Sequence, residues 1–225
     1  MDIGRVLGNT FKNVFSKHAF YLSLLSFVLF GIVSIALAGV TPQTMASTQL
    51  NPVFYAFAGI AGILYIALSI IVMIGVLRSL YHKELRSEHF AESLGFTGLN
   101  LIADGILSGI IILIGFILLI IPGFIAIVAL SLSPLYVVID QDNVIDAIKK
   151  SWERTQGHWL QIFAVVFIVW AISLAINLLT AIPDIVAGFI NGPAQYVIFA
   201  ITTYISIYTS LLQTSTIVEL YRELN

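Results

Sequence analysis

The sequence predicts an all-α, polytopic membrane protein: one integral membrane domain over residues 1–225, with six transmembrane helices in three hairpins and cytoplasmic interfacial amphipathic helices. Three observations carry this. The chain is 59% hydrophobic and only 10% charged, with a mean hydropathy of +1.02, where soluble domains carry about 25% charged residues. Its apolar residues fall into long uninterrupted runs. Its ten Lys and Arg residues, once those runs are taken as membrane spans, all fall on one side.

Crossing about 30 Å of hydrocarbon takes about 20 mostly apolar helical residues, because backbone polar groups find no partners in lipid. Six runs meet that need, at about 20–40, 53–77, 100–120, 124–139, 159–182 and 194–218. The first could be read as a signal segment, since Ala36-Leu37-Ala38 has the small-x-small form of a cleavage site. Its length and the patterned segment before it favour a retained span. The third and fourth runs are separated by Ile121-Pro122-Gly123, and Pro-Gly predicts a tight turn there. Pro134 predicts a kink in the short fourth span.

Cations are retained in short cytoplasmic loops. Arg5, Lys12 and Lys17 precede the first span; Arg78, Lys83 and Arg86 follow the second; Lys149, Lys150 and Arg154 follow the fourth; Arg222 follows the sixth. The opposite loops, Thr41 to Pro52, Pro122-Gly123 and Pro183 to Pro193, hold a single charge, Asp184. Both termini are therefore expected in the cytoplasm.

A repeat underlies the cytoplasmic segments. Ile3, Val6, Leu7, Thr10 and Phe11 match Val144, Ala147, Ile148, Ser151 and Trp152 at an offset of 141, and Phe90, Ser93, Leu94, Thr97 and Gly98 follow more loosely. That spacing suits a helix with one apolar face, lying at the membrane surface over residues 1–18 and again over the 144 segment.

Composition excludes some functions. A net charge of -2 and a pI near 6.0 leave no basic surplus for nucleic acid, and the absence of cysteine removes disulfides and thiolate metal sites. No phosphate-binding Gly-rich loop, zinc-protease helix or serine-nucleophile elbow is present, so no catalytic residue and no cofactor is assigned. His82, Glu84, Glu88, His89 and Glu92 share one loop. Alternating charges of this kind more often form a solvated face than a metal site.

Four groups stand out as candidates. Ser151, Trp152, Thr155, Gly157 and Trp159 lie where a surface helix must turn into the membrane: the tryptophans suit the interface, Thr155 can bond freed backbone groups, and Gly157 can take the bend. Asp104 is the one acid inside a span, at a cost of about 2.5–3.5 kcal/mol for a charge at mid-membrane. It is one turn from the cytoplasmic end, where interfacial solvation is expected, with a coupling role as the alternative. Gly105 and Gly109 have the G-x-x-x-G spacing of close helix packing. Thr202, Ser206, Thr209, Gln213 and Thr216 form a stripe along the last helix, and Ser173, Asn177 and Thr180 form one along the fifth. The two stripes are expected to meet and bond across the helix interface.

The segment Asp146-Ala-Ile-Lys-Lys-Ser-Trp-Glu-Arg-Thr-Gln-Gly-His-Trp159 follows Ile121-Pro-Gly and the run Leu135-Tyr-Val-Val-Ile-Asp140. The chain closes on Thr216-Ile-Val-Glu-Leu-Tyr-Arg-Glu-Leu224. Together these elements resemble the YciC-like bacterial inner-membrane family. They are also similar to the membrane domain attached to some glycerophosphodiester phosphodiesterases. The resemblance implies a six-helix fold in the cell inner membrane. The phosphodiesterase barrel is absent, so its activity is not implied.

The function expected is non-enzymatic: a multi-pass protein that organises or assists membrane lipids or membrane protein partners, with a homo-oligomer as one form of partner. A transporter or channel for a small solute is the alternative, and a lipid-modifying enzyme the third.

Overall fold

The computed structural model describes residues 1–37, 52–84, 88–91, 95–187, 189 and 193–225. Among them all regular structure is helical: α1 Ile3–Val14, α2 Lys17–Leu37, α3 Pro52–His82, α4 Glu88–Ala91, α5 Phe96–Leu118, α6 Ile120–Leu130, α7 Ser133–Val138, α8 Val144–Thr155, α9 Trp159–Ala187 and α10 Pro193–Leu224. Five described stretches are long and apolar enough to cross a membrane: Gly62–His82, Phe96–Leu118, Ile120–Val138, Trp159–Val186 and Ala194–Leu224. The first expected span, 20–40, overlaps α2 over residues 20–37, and residues 38–40 lie outside the described residues. Most of the expected loop Thr41 to Pro52 lies outside the described residues, as do Ser93 and Leu94 of the looser repeat and Glu92 of the charged loop.

The turn between α5 and α6 is not at Pro122-Gly123. Leu119 alone, extended at φ -166°, makes it, and Pro122 sits in the first turn of α6. A first-turn N–H has no intrahelical acceptor, so proline is tolerated there. Gly123 has a different task. A Cβ on it would meet the Phe116 ring at 2.5 Å, and one on Gly115 would come within 3.0 Å of the Gly123 Cα. These two glycines let α5 and α6 approach backbone to backbone. Gly105 and Gly109, the pair with the packing spacing, face open space.

The fourth span is broken rather than kinked. α6 ends at Leu130, and α7 starts at Ser133 with Pro134 in its first turn. Similarly, Pro183, expected to begin a loop, lies inside α9.

Sequential long helices pack as neighbours: α2 with α3, α5 with α6, α9 with α10. The short helices follow a second rule. Helix α4 packs on α3, α8 packs on α6 and α7, and α1 packs on α10. The short helices α4 and α8 thus rest on the helices that precede them, and α1 closes on α10. Glycine again sets one of these contacts, since a Cβ on Gly75 would strike the Phe90 ring. The buried faces of α1 and α8 are Val6, Thr10, Val14 and Ala147, Ser151, Thr155, which correspond at the 141-residue offset. Between them the core gathers Leu22, Ile74, Leu132, Leu135, Ile162 and Leu220.

Candidate functional site

Both termini meet at one end of the bundle, where the Asp2 N–H donates to Glu223 at 3.3 Å and Arg5 pairs with Glu223 at 3.5 Å. Deeper in, Glu219 is buried on α10. It accepts from the Asn13 side chain at 2.7 Å and pairs with Arg222, one turn along. Arg222 in turn donates to the carbonyls of Leu80, at 3.0 Å, and Tyr81, and lies over the Tyr81 ring. Those carbonyls belong to the last turn of α3, which has no intrahelical donors for them. A single guanidinium therefore caps α3 while its carboxylate partner holds α1.

Tyr221, on the same stretch of α10, donates to Asp140 at 2.8 Å and packs its ring on Tyr81 and Tyr136. Beside it, Lys150 donates to Asp142 at 2.6 Å and lies over the Tyr136 ring. That hydrogen bond to Asp142 pushes the Lys150 ammonium above its ordinary pKa. Helices α1, α3, α7, α8 and α10 are thus tied at one end. Glu219, Arg222, Asn13, Asp140 and Tyr221 were not among the candidate site residues; Arg222 was read as a cytoplasmic cation, and Asp140, Glu219 and Tyr221 appeared only within the segments that carry the resemblance. The available signal was Glu219 and Arg222 standing three apart between the apolar Val218, Leu220 and Tyr221.

Ser151 occupies the break between α6 and α7. Its hydroxyl donates to the Ala129 carbonyl at 2.6 Å and accepts the Leu132 N–H at 3.2 Å. Thr155 donates to carbonyls of its own helix, Ser151 and Trp152. Gly157 has φ +80° between α8 and α9, and Trp152 and Trp159 form an edge-to-face pair across that bend with centroids 6.1 Å apart.

Asp104 does not reach a solvated interface. It is 1% exposed and accepts from Ser133, the first residue of α7, at 3.0 Å. Its second oxygen and the buried Ser108 hydroxyl stand near each other but fall short of hydrogen-bond geometry.

The polar stripes behave differently from the expectation. Ser206, Thr209 and Thr216 donate to carbonyls of α10 itself, while Asn177 and Thr180 donate to carbonyls of α9. Among the described residues the stripes do not bond to each other. From α10 to α9, Thr202 donates to Asp184 at 2.7 Å. Ser173, Thr202, Thr209 and Thr216 are buried, but Asn177 and Gln213 are exposed at the chain surface. The reason is geometric: a short hydroxyl reaches the carbonyl three or four residues back more easily than a neighbouring helix.

Among the described residues no group of three or more His, Asp or Glu side chains converges on a metal position. The chemistry these groups support is binding and bracing: hydroxyls and a guanidinium occupy backbone carbonyls that helix ends and breaks would otherwise leave unpaired.

Neither a curated protein nor a solved structure matches the chain. One family model does, described as a domain of unknown function (DUF7847), over residues 14–224. With nearly the whole chain matched, the protein belongs to the DUF7847 family.

Proposed function

We propose that this chain is a non-enzymatic, multi-pass protein of the cell inner membrane, with six transmembrane helices in three hairpins and both termini cytoplasmic, that organises or assists lipids or membrane protein partners. Each hairpin carries a surface helix at its start. The one-sided cations and the resemblance to the YciC-like family support the location and the helix count. One observation carries the functional reading: the stripe hydroxyls Ser206, Thr209 and Thr216 end on carbonyls of their own helix. A hydroxyl so occupied serves the helix and is a poor lining for a polar path.

Cysteine labelling tests this, since the native chain has no cysteine. Cysteines at Ser206 and Thr209 are expected to resist small water-soluble thiol reagents in intact membranes. Cysteines at Ser47 and Asn191 are expected to label from outside, and those at Ser87 and Gln141 only after permeabilisation. Ser47, Asn191 and Ser87 lie outside the described residues. Rapid labelling at both Ser206 and Thr209 would overturn the reading.

Asp104 favours a second reading, a transporter in which this acid couples movement to an ion or proton. A buried carboxyl against the first residue of a broken helix is the arrangement that coupling sites use. Uptake into vesicles that is lost in Asp104→Asn, with the folded protein retained, would establish it.

A further inference from the structure

Helix α1 crosses the seam between α9 and α10 and leaves beside it a groove of about 270 Å³, lined by Phe11, Phe15, Ile172, Ile176, Tyr208 and Leu212 among others. The lining is almost wholly carbon and aromatic ring. Along α10 it runs from Leu212 to Tyr204, about 12 Å at 1.5 Å per residue. Its rim is the end of α1, where Phe15 is 77% exposed and its ring stands 6.4 Å from that of Tyr208.

Cations gather at that rim. Lys12 and Lys17 are exposed and make no ion pair among the described residues, whereas Arg5, Lys150 and Arg222 do. At 100° per residue Lys12 projects about 60° around α1 from Phe15 and about 100° from Phe11, at the flank of the groove, while Asn13 projects about 160° from Phe15, toward Glu219. Lys17 and His18 open α2, where Ser16 caps the Ala19 N–H at 3.2 Å. First-turn N–H groups have no intrahelical acceptor and favour an anion. A lysine gains nothing from that helix end, so an anion is the group that both would hold.

We propose that this groove binds one anionic phospholipid, with an acyl chain between α1, α9 and α10 and the phosphate at Lys12, Lys17 and the start of α2. This names the ligand class for the lipid side of the reading above, and it rests on that reading. Charge complementarity decides the headgroup: a zwitterionic lipid offers the two lysines no net charge. Each lysine near an anionic surface contributes about a fivefold preference.

The test is native mass spectrometry of the purified full-length protein with phosphatidylglycerol or phosphatidylcholine added at equal concentration. The wild type is expected to retain phosphatidylglycerol at least tenfold better. The double variant Lys12→Gln/Lys17→Gln should lose that preference and keep its melting temperature, while Lys149→Gln, an exposed cation on α8, should keep it. Ile176→Trp, which fills the groove, should weaken retention of both lipids. Equal retention of the two lipids by the wild type would overturn the headgroup assignment, as would a preference that survives in the double variant. Unchanged retention in a folded Ile176→Trp would overturn the groove. Thr209 itself lines this groove, whereas Ser206 does not, so the labelling at Ser206 is the independent check on the broader reading.

Discussion

The hydroxyl of Ser151 and the carbonyl of Ala129 lie 2.6 Å apart, on two helices that meet where α6 breaks. A helix interrupted among apolar neighbours exposes a carbonyl and an N–H that must find partners. Ser151 supplies both at once. Ser151→Ala is therefore expected to cost about 2–4 kcal/mol, since two buried backbone groups lose their partner. The equivalent residue in the repeat, Thr10, is equally buried but its hydroxyl has no hydrogen-bond partner among the described residues. Thr10→Val should be neutral within about 1 kcal/mol or stabilising. Reversible unfolding in detergent measures both, and equal losses at the two positions would refute the difference.

The glycines separate in the same way. Gly115→Ala and Gly123→Ala should each destabilise by about 1–3 kcal/mol, because the added methyl meets backbone in one case and the Phe116 ring in the other. Gly105→Ala and Gly109→Ala add a methyl into open space and should raise stability by about 0.5–1 kcal/mol through helix propensity. Thermal melts of the four variants decide it. A destabilised Gly105→Ala would restore the G-x-x-x-G reading.

Arg222 joins the end of α3 to α10, and Glu219 joins α10 to α1. Glu219→Gln should weaken the hold on Arg222 while leaving an amide for Asn13, at a cost of about 1–2 kcal/mol. Arg222→Met should cost more, about 2–4 kcal/mol, since it also leaves the Glu219 carboxylate buried and unpaired. Because α1 is docked through this pair, limited trypsin digestion should cut at Lys12 faster in Arg222→Met. Unchanged cleavage with lowered stability would place the effect at α3 instead.

Asn177 and Gln213 are amides exposed at the chain surface within helices long enough to span. With no described helix of this chain covering them, Asn177→Leu and Gln213→Leu should leave the stability of the monomer within about 0.5 kcal/mol or raise it. If a second copy or another membrane protein covers that face, the same substitutions should weaken association instead. Measuring the monomer–dimer balance in detergent alongside the melting temperature separates the two results.

Much of this protein is readable from residue order. The long apolar runs over 53–77, 159–182 and 194–218 fall within α3, α9 and α10, because a run of that length can satisfy its backbone in lipid only as a helix. The correspondence of Thr10 with Ser151 was readable too, since the spacing of small and apolar residues along α1 and α8 is a local property. The Pro-Gly pair misled for a related reason: its turn propensity is local, but at Pro122-Gly123 a first-turn proline and a tightly packed glycine satisfied the same residues inside a helix.

What tertiary structure alone decided is which local signals found partners. The sequence could not say that Gly115 and Gly123, rather than Gly105 and Gly109, would face another backbone, or that Asp104 would be buried against Ser133. Nor did it place Glu219 and Arg222 at a joint between α1, α3 and α10, because residues 13, 81 and 219 become neighbours only after the chain has closed α1 on α10. Spacing along a helix determines which face a side chain takes. Only packing determines what stands opposite that face, and in this molecule the opposite element is often more than a hundred residues away.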